Sequence, residues 1–174
     1  MKSTSPVIFG IAALAALTLS GCGQGQKSTD ATTQSAAAVA PAAAKPATGR
    51  AIAITANDTM KFNIVEIRAK PGEALAVTLT NVGTVPKFSM GHNWVLLKEG
   101  TDLNAFAADS ATAATTEYIP ASFKNRVLAS TKLLGPKESA TALFYAPTKP
   151  GHYPFLCAFP GHMQVGMKGE LIVE

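Results

Sequence analysis

The stretch Tyr153-Pro154-Phe155-Leu156-Cys157-Ala158-Phe159-Pro160-Gly161-His162-Met163-Gln164-Val165-Gly166-Met167-Lys168-Gly169-Glu170-Leu171 decides how the rest of the chain is read. Residues 152–158 and 170–174 have the character of two strands, and the stretch from the end of the first to the start of the second carries a thiol, an imidazole and a thioether at intervals of five. Residues five apart on one strand point to opposite faces. Cys157, His162 and Met167 therefore converge only if the chain turns between them, and Pro160-Gly161 and Gly166 supply the turn. The segment is expected to be a strand-end loop folded around a bound group.

Upstream, strand signals recur at short spacing. Residues 51–55, 64–69, 74–81, 93–97 and 140–145 read as strands, with Leu75, Val77 and Leu79 on one face of the third run and the only tryptophan, Trp94, in the fourth. Together with the last two runs, these short strands separated by Gly and Pro predict an all-β Greek-key sandwich or barrel of about seven or eight strands. Residues 101–132 break the pattern. Leu103, Phe106 and Ala107 have helical spacing, and residues 105–114 are rich in Ala, which predicts a short helix or two inserted as a flap. Residues 50–174 make one domain of common size, with twelve basic against ten acidic side chains.

Ahead of this domain lies a different kind of sequence. Lys2 is followed by a mostly apolar run over residues 7–19, too short to span a bilayer at about 20 residues but suited to a secretory signal. Residues 1–21 are read as that signal. The run ends in Leu19-Ser20-Gly21-Cys22, which resembles a bacterial lipobox, so Cys22 is the expected site of lipidation and of membrane attachment outside the cytoplasm. Residues 22–49 follow as lipidated cysteine and linker. They are Ala, Ser, Thr, Gln and Pro with almost no large apolar side chain, too little to offset chain entropy by burial. The reading is a domain tethered to a membrane on the periplasmic side or at the cell surface.

Two cysteines in 174 residues exclude a disulfide-dense scaffold and a four-cysteine metal site. A net charge of +4 without a Lys/Arg cluster gives no nucleic-acid footprint. With Cys22 acylated, Cys157 has no partner within the chain. An unpaired cysteine in an exported protein points to a metal ligand, a nucleophile or an intermolecular bridge. His92, in Met90-Gly91-His92-Asn93-Trp94, begins a strand that can lie beside the Cys157 loop. One thiolate, two imidazoles and a weak thioether suit a mononuclear blue-copper site, because the sulfurs favour Cu(I) while the imidazoles tolerate Cu(II).

The motifs Met90-Gly91-His92-Asn93-Trp94-Val95-Leu96 and Cys157-Ala158-Phe159-Pro160-Gly161-His162 resemble those of cupredoxins, specifically the azurin and auracyanin group. The approach Tyr153-Pro154-Phe155-Leu156 and the exit Lys168-Gly169-Glu170-Leu171 fit as well, and the likeness runs over residues 50–174. It implies a cupredoxin-like sandwich holding one copper ion that cycles between Cu(I) and Cu(II). His92, Cys157 and His162 would be equatorial ligands and Met167 the axial one, with the Gly91 carbonyl on the opposite side. Asn93 would tie the two ligand loops together by its side chain and reach the Cys157 sulfur by its backbone N–H. The sequence departs from azurins in three respects. Four residues separate His162 from Met167, one more than in azurins and as in auracyanins. The N-terminal azurin disulfide has no cysteines here, and an anchored tail stands in its place.

Some residues carry two readings. Met163 is the rival thioether, but it follows His162 directly and is expected to point away toward solvent. His152, five before Cys157 on the same strand, is expected to face away from the thiol. Met90, Phe159, Pro160, Met163 and Val165 cluster around His162 as an apolar rim, the expected surface for transient docking to other redox proteins such as cytochromes or copper oxidoreductases. The functional expectation is a monomeric, membrane-tethered electron carrier and not an enzyme. A copper chaperone or buffer on the same fold is the alternative. A cysteine hydrolase is a third possibility, in which Met167 would have no purpose.

Overall fold

The computed structural model describes residues 45–174, so the signal, the lipobox, Cys22 and most of the linker lie outside the described residues. Within the described residues, eight strands form two sheets. In the smaller, β1 (Arg50–Ala56) runs parallel to β3 (Ala74–Asn81), and β3 runs antiparallel to β6 (Ser139–Tyr145). The larger has the order β2-β8-β7-β4-β5, with β2 (Glu66–Ala69), β4 (Val95–Leu97), β5 (Val127–Ser130), β7 (Gly151–Leu156) and β8 (Lys168–Val173). The β2–β8 pair is parallel and the other pairs are antiparallel.

The period-2 pattern places the core. Leu75, Val77 and Leu79 are fully buried on one face of β3, and Ile52 and Ile54 extend that face on β1. Each such side chain contributes roughly 1.5–3 kcal/mol when fully buried. Trp94 fills the space between the sheets, 5.8 Å from Phe144 on β6 and 5.4 Å from Phe155 on β7, measured between ring centroids.

The run from Trp94 to Leu97 does not alternate in polarity because it is covered on both sides. Trp94 and Leu96 face the sandwich core, while Val95 and Leu97 belong to a second cluster with Phe106, Ala107, Leu156 and Met163. That second cluster lies under the flap. Its helix α2 (Leu103–Ser110) starts at Asp102, whose carboxylate accepts the N–H groups of Asn104 (2.9 Å) and Ala105 (3.1 Å). Two 3-10 turns, Ala114–Thr116 and Ala121–Arg126, complete it.

The predicted strands correspond to β1, β2, β3, β4, β6, β7 and β8 with shifts of up to two residues at most ends. Two elements were not expected. β5 falls inside the segment assigned to the flap; its four residues are all half-buried and carry no alternation to mark them. The single-turn helix α1 (Lys87–Met90) buries no residue, so no apolar stripe marked it either. Among the described residues, no helix is long and apolar enough to cross a membrane.

Candidate metal centre

His92 arrives at the site from α1. The chain between them needs glycine at position 91: a Cβ there would lie 2.7 Å from the Lys87 carbonyl oxygen and 2.9 Å from the Leu133 side chain. His92 is then clamped by a two-way backbone bridge with Leu134, at 3.1 and 2.8 Å. Cys157 follows directly on β7, and the loop after it is closed by its own backbone. His162 N–H donates to the Phe159 carbonyl (3.1 Å), Met167 N–H to the His162 carbonyl (2.9 Å), and Cys157 N–H to the Met167 carbonyl (3.0 Å). Positions 157, 162 and 167 are thus brought to one point by two turns.

There the Nδ1 atoms of His92 and His162 lie 4.0 and 3.4 Å from the Cys157 sulfur, and the Gly91 carbonyl oxygen lies 4.0 Å from it. The three ligand atoms all fall within 4.8 Å of one another. Ligands roughly 2.0–2.3 Å from a central ion, spread trigonally, stand about 3.5–4 Å apart. The spacing therefore fits one ion bound by two imidazoles and a thiolate. His92 and Cys157 are fully buried, and His162 is 2% exposed. Met167 is also fully buried and shares a core cluster with Cys157.

The electrostatics describe the metal-free state. Burial pushes the Cys157 thiol up to about 12, against the opposing pull of the Asn93 and Phe159 backbone N–H groups. Burial lowers His162 to about 4, with repulsion from His92 adding to it. His92 is lowered by burial too, opposed by the Asn57 backbone and the Asp58 charge. Its Nε2 is buried and meets no group in good hydrogen-bond geometry, the Asn57 backbone lying only near it. Neutral imidazoles and a protonated thiol are held dry and close together, and binding a cation exchanges the thiol proton for the metal.

Asn93 is fully buried and acts as a strut. Its Oδ1 accepts the Ala158 N–H at 2.7 Å, and its Nδ2 donates to the Glu117 carbonyl at 2.7 Å. The first bond ties the His92 segment to the Cys157 segment, and the second ties both to the flap. Glu117 and Tyr118 both have left-handed backbones, with φ of 58° and 60°. The Glu117 carboxylate accepts the Leu133 N–H at 2.5 Å, and Tyr118 meets the Phe159 ring edge-on at 5.0 Å. Sequence reasoning missed this pair, since neither residue is a usual left-handed turn former.

The expected apolar rim needs correction. Met163 is 3% exposed and packs under the flap, contrary to the expectation that it points to solvent. The turn in which Gly166 N–H bonds to the Met163 carbonyl at 3.0 Å aims it inward, where the Phe106 and Leu156 cluster receives it. Phe159 is also buried, at 9%, stacked 4.7 Å from the His162 ring. Val165 is exposed, Pro160 and Met90 are half-buried, and Phe88 on α1, which the sequence did not single out, is 83% exposed. His152 faces outward and pairs with Glu170 at 3.0 Å, as its position on the strand predicted.

Comparisons with known proteins agree with this geometry. The family model for copper binding proteins of the plastocyanin/azurin family matches residues 50–174. Outer membrane protein H.8 of Neisseria gonorrhoeae is 40% identical over 114 residues, which is 64% of this chain and 61% of that protein. The chain thus spans about three fifths of the length of the H.8 relatives it matches. Azurin of Achromobacter denitrificans is 38% identical over 121 residues, covering 68% of this chain and 80% of its own. Among solved structures, dithionite-reduced auracyanin from Roseiflexus castenholzii superposes with a TM-score of 0.63 at 33% identity, covering 71% of this chain and 96% of its own. By sequence, fold and donor set, the chain belongs to the plastocyanin/azurin family of copper binding proteins.

Proposed function

We propose that this protein is a one-electron carrier, with copper held by His92, Cys157 and His162 and, more weakly, by Met167. The observation that carries the reading is the meeting of the Cys157 sulfur with the two Nδ1 atoms in a dry corner fixed on all sides by backbone bonds. Bound copper supplies a couple whose two states both tolerate this donor set. The protein's part is to keep the ligands still. The Leu134 bridge holds His92, the closed loop holds His162 and Met167, and Asn93 locks the two segments together. A frame that does not relax on gain or loss of an electron keeps reorganisation small. The burial of the ligands argues against a copper chaperone or buffer, which must hand its ion over.

Electrons would pass through the His162 side, where the accessible Pro160, Val165 and Met90 would make an apolar rim for a transient partner of the cytochrome or copper-oxidoreductase kind. Lipidation of Cys22 would tether this monomeric carrier to an extracytoplasmic membrane surface through the linker of residues 22–49. The lipobox-like Leu19-Ser20-Gly21-Cys22 supports that reading, and a relative described as an outer membrane protein is consistent with it.

The test is to add one equivalent of Cu(II) to the purified chain and to its Cys157→Ser variant and record the visible spectrum. An intense thiolate-to-copper band that bleaches with reductant and is absent from the variant is the expected result. A colourless protein, or a weak band indifferent to the substitution, would overturn the reading.

A further inference from the structure

The ligand loop is closed by four backbone bonds of its own: His162 N–H to the Phe159 carbonyl (3.1 Å), Val165 N–H to the Gly161 carbonyl (3.3 Å), Gly166 N–H to the Met163 carbonyl (3.0 Å), and Met167 N–H to the His162 carbonyl (2.9 Å). The Val165 carbonyl takes no part in these. It accepts a hydrogen bond from the ammonium of Lys61, 104 positions away in sequence. The Lys61 nitrogen also crowds Gly166, where an added Cβ would come 2.8 Å from it. Gly166 has φ +94°, so this position already disfavours any other residue.

The root of the Lys61 side chain is as fixed as its tip. On one side Met60 is left-handed, with φ 56°, and its N–H bonds to the Asn57 carbonyl at 3.0 Å. On the other side Phe62 is a core residue bridged to Ala56 at the end of β1. Asn63 is bonded to Thr55 twice, through its side-chain oxygen at 2.6 Å and its N–H at 3.2 Å. Lys61 therefore leaves a rigid segment and reaches a loop that carries two candidate ligands. Among the described residues, this is the one hydrogen bond joining residues 57–65 to residues 159–167.

We propose that Lys61 is a positioning residue for the metal centre, holding the loop between His162 and Met167 through the Val165 carbonyl and biasing the bound copper toward its reduced state by its charge. The charge half of this proposal rests on the electron-carrier reading above, whereas the positioning half does not. An ammonium–carbonyl bond is stronger than a neutral one, and the segment it holds joins two candidate ligands, His162 and Met167. A positive charge held against the loop that carries His162 and Met167 repels the more highly charged oxidised ion more than the reduced one. For charges on the order of 12 Å apart, between the screening of bulk water and that of a protein surface, such a charge changes the Cu(I)-to-Cu(II) affinity ratio by roughly two- to tenfold.

The test uses the full chain with Lys61→Met, Lys61→Gln and Lys61→Arg. In the metal-free protein, amide hydrogen exchange at Val165, Gly166 and Met167 is expected to quicken several-fold in Lys61→Met and to stay near wild type in Lys61→Arg. In the copper-loaded protein, the midpoint potential is expected to fall in Lys61→Met and Lys61→Gln but not in Lys61→Arg, by up to the ~59 mV that a tenfold change represents for one electron. Unchanged exchange in Lys61→Met overturns the positioning role. Quickened exchange with an unmoved potential overturns the charge role. A wild-type chain that takes up copper without colour overturns the carrier reading and the charge role with it, while the exchange measurement still decides the positioning role.

Discussion

Replacing Asn93 by alanine tests how the site is held together. The side chain is wholly buried and makes two bonds of 2.7 Å, one from the Ala158 N–H and one to the Glu117 carbonyl. Ala158 is itself buried, at 3% exposure, so its N–H is left without a partner in the variant, at a cost of about 1–3 kcal/mol. Glu117 is exposed, so water can take over its carbonyl, and that loss is nearer ~0.5–1.5 kcal/mol. The expected total is about 2–4 kcal/mol. For a chain of this size that lowers the melting temperature by roughly 6–15 °C. The assay is urea unfolding of the metal-free chain with a matched thermal scan, because bound copper would add its own linkage to the folded state. The Asn93 backbone is untouched, so its N–H still faces the Cys157 sulfur, and the copper-loaded variant is expected to keep its thiolate band. A loss below about 0.5 kcal/mol would refute the strut, since it would mean that the Ala158 N–H finds another partner at once.

Three further outcomes follow from the same structure. Because burial holds the Cys157 thiol at about 12, copper uptake at neutral pH is expected to release close to one proton per ion, read with a pH electrode in unbuffered solution and absent in Cys157→Ser. His162 is depressed from about 6.5 to about 4, so the unfolded chain takes the proton first. The metal-free protein is expected to keep full stability above about pH 6.5 and to lose up to ~3 kcal/mol as the pH falls to about 4, with a shallower loss in His162→Gln. Phe106→Ala empties the cluster under the flap, where Phe106 is fully buried and meets Phe123 edge-on at 5.3 Å, and should cost about 3–5 kcal/mol in urea unfolding, whereas His152→Ala, which removes only an exposed pair with Glu170, should change stability by less than ~0.5 kcal/mol.

Much of this molecule is written in local sequence. The alternation of Leu75, Val77 and Leu79 needs no partner to be read as a strand with one buried face, because side-chain direction in a strand has a period of two. The spacing of Cys157, His162 and Met167 around Pro160-Gly161 likewise requires a turn if the three are to meet, and it marks the donor set by its chemistry. What the sequence left open depends on neighbours far along the chain. Val127–Ser130 is a strand because the edge of β4 is there to pair with it, not because its residues insist on it. Met163 and Phe159 are buried because the flap and the turn around Gly166 enclose them, although either would suit an exposed rim. The left-handed backbones at Met60, Glu117 and Tyr118, and the reach of Lys61 to the Val165 carbonyl, have no local signature at all. Periodicity and donor identity are properties of adjacent residues, so the sequence alone marked seven of the eight described strands and the candidate donor set. The hydrogen bonds that reach the segments carrying those donors join positions 24 to 104 residues apart, and only the packing of the two sheets and the flap brings them together.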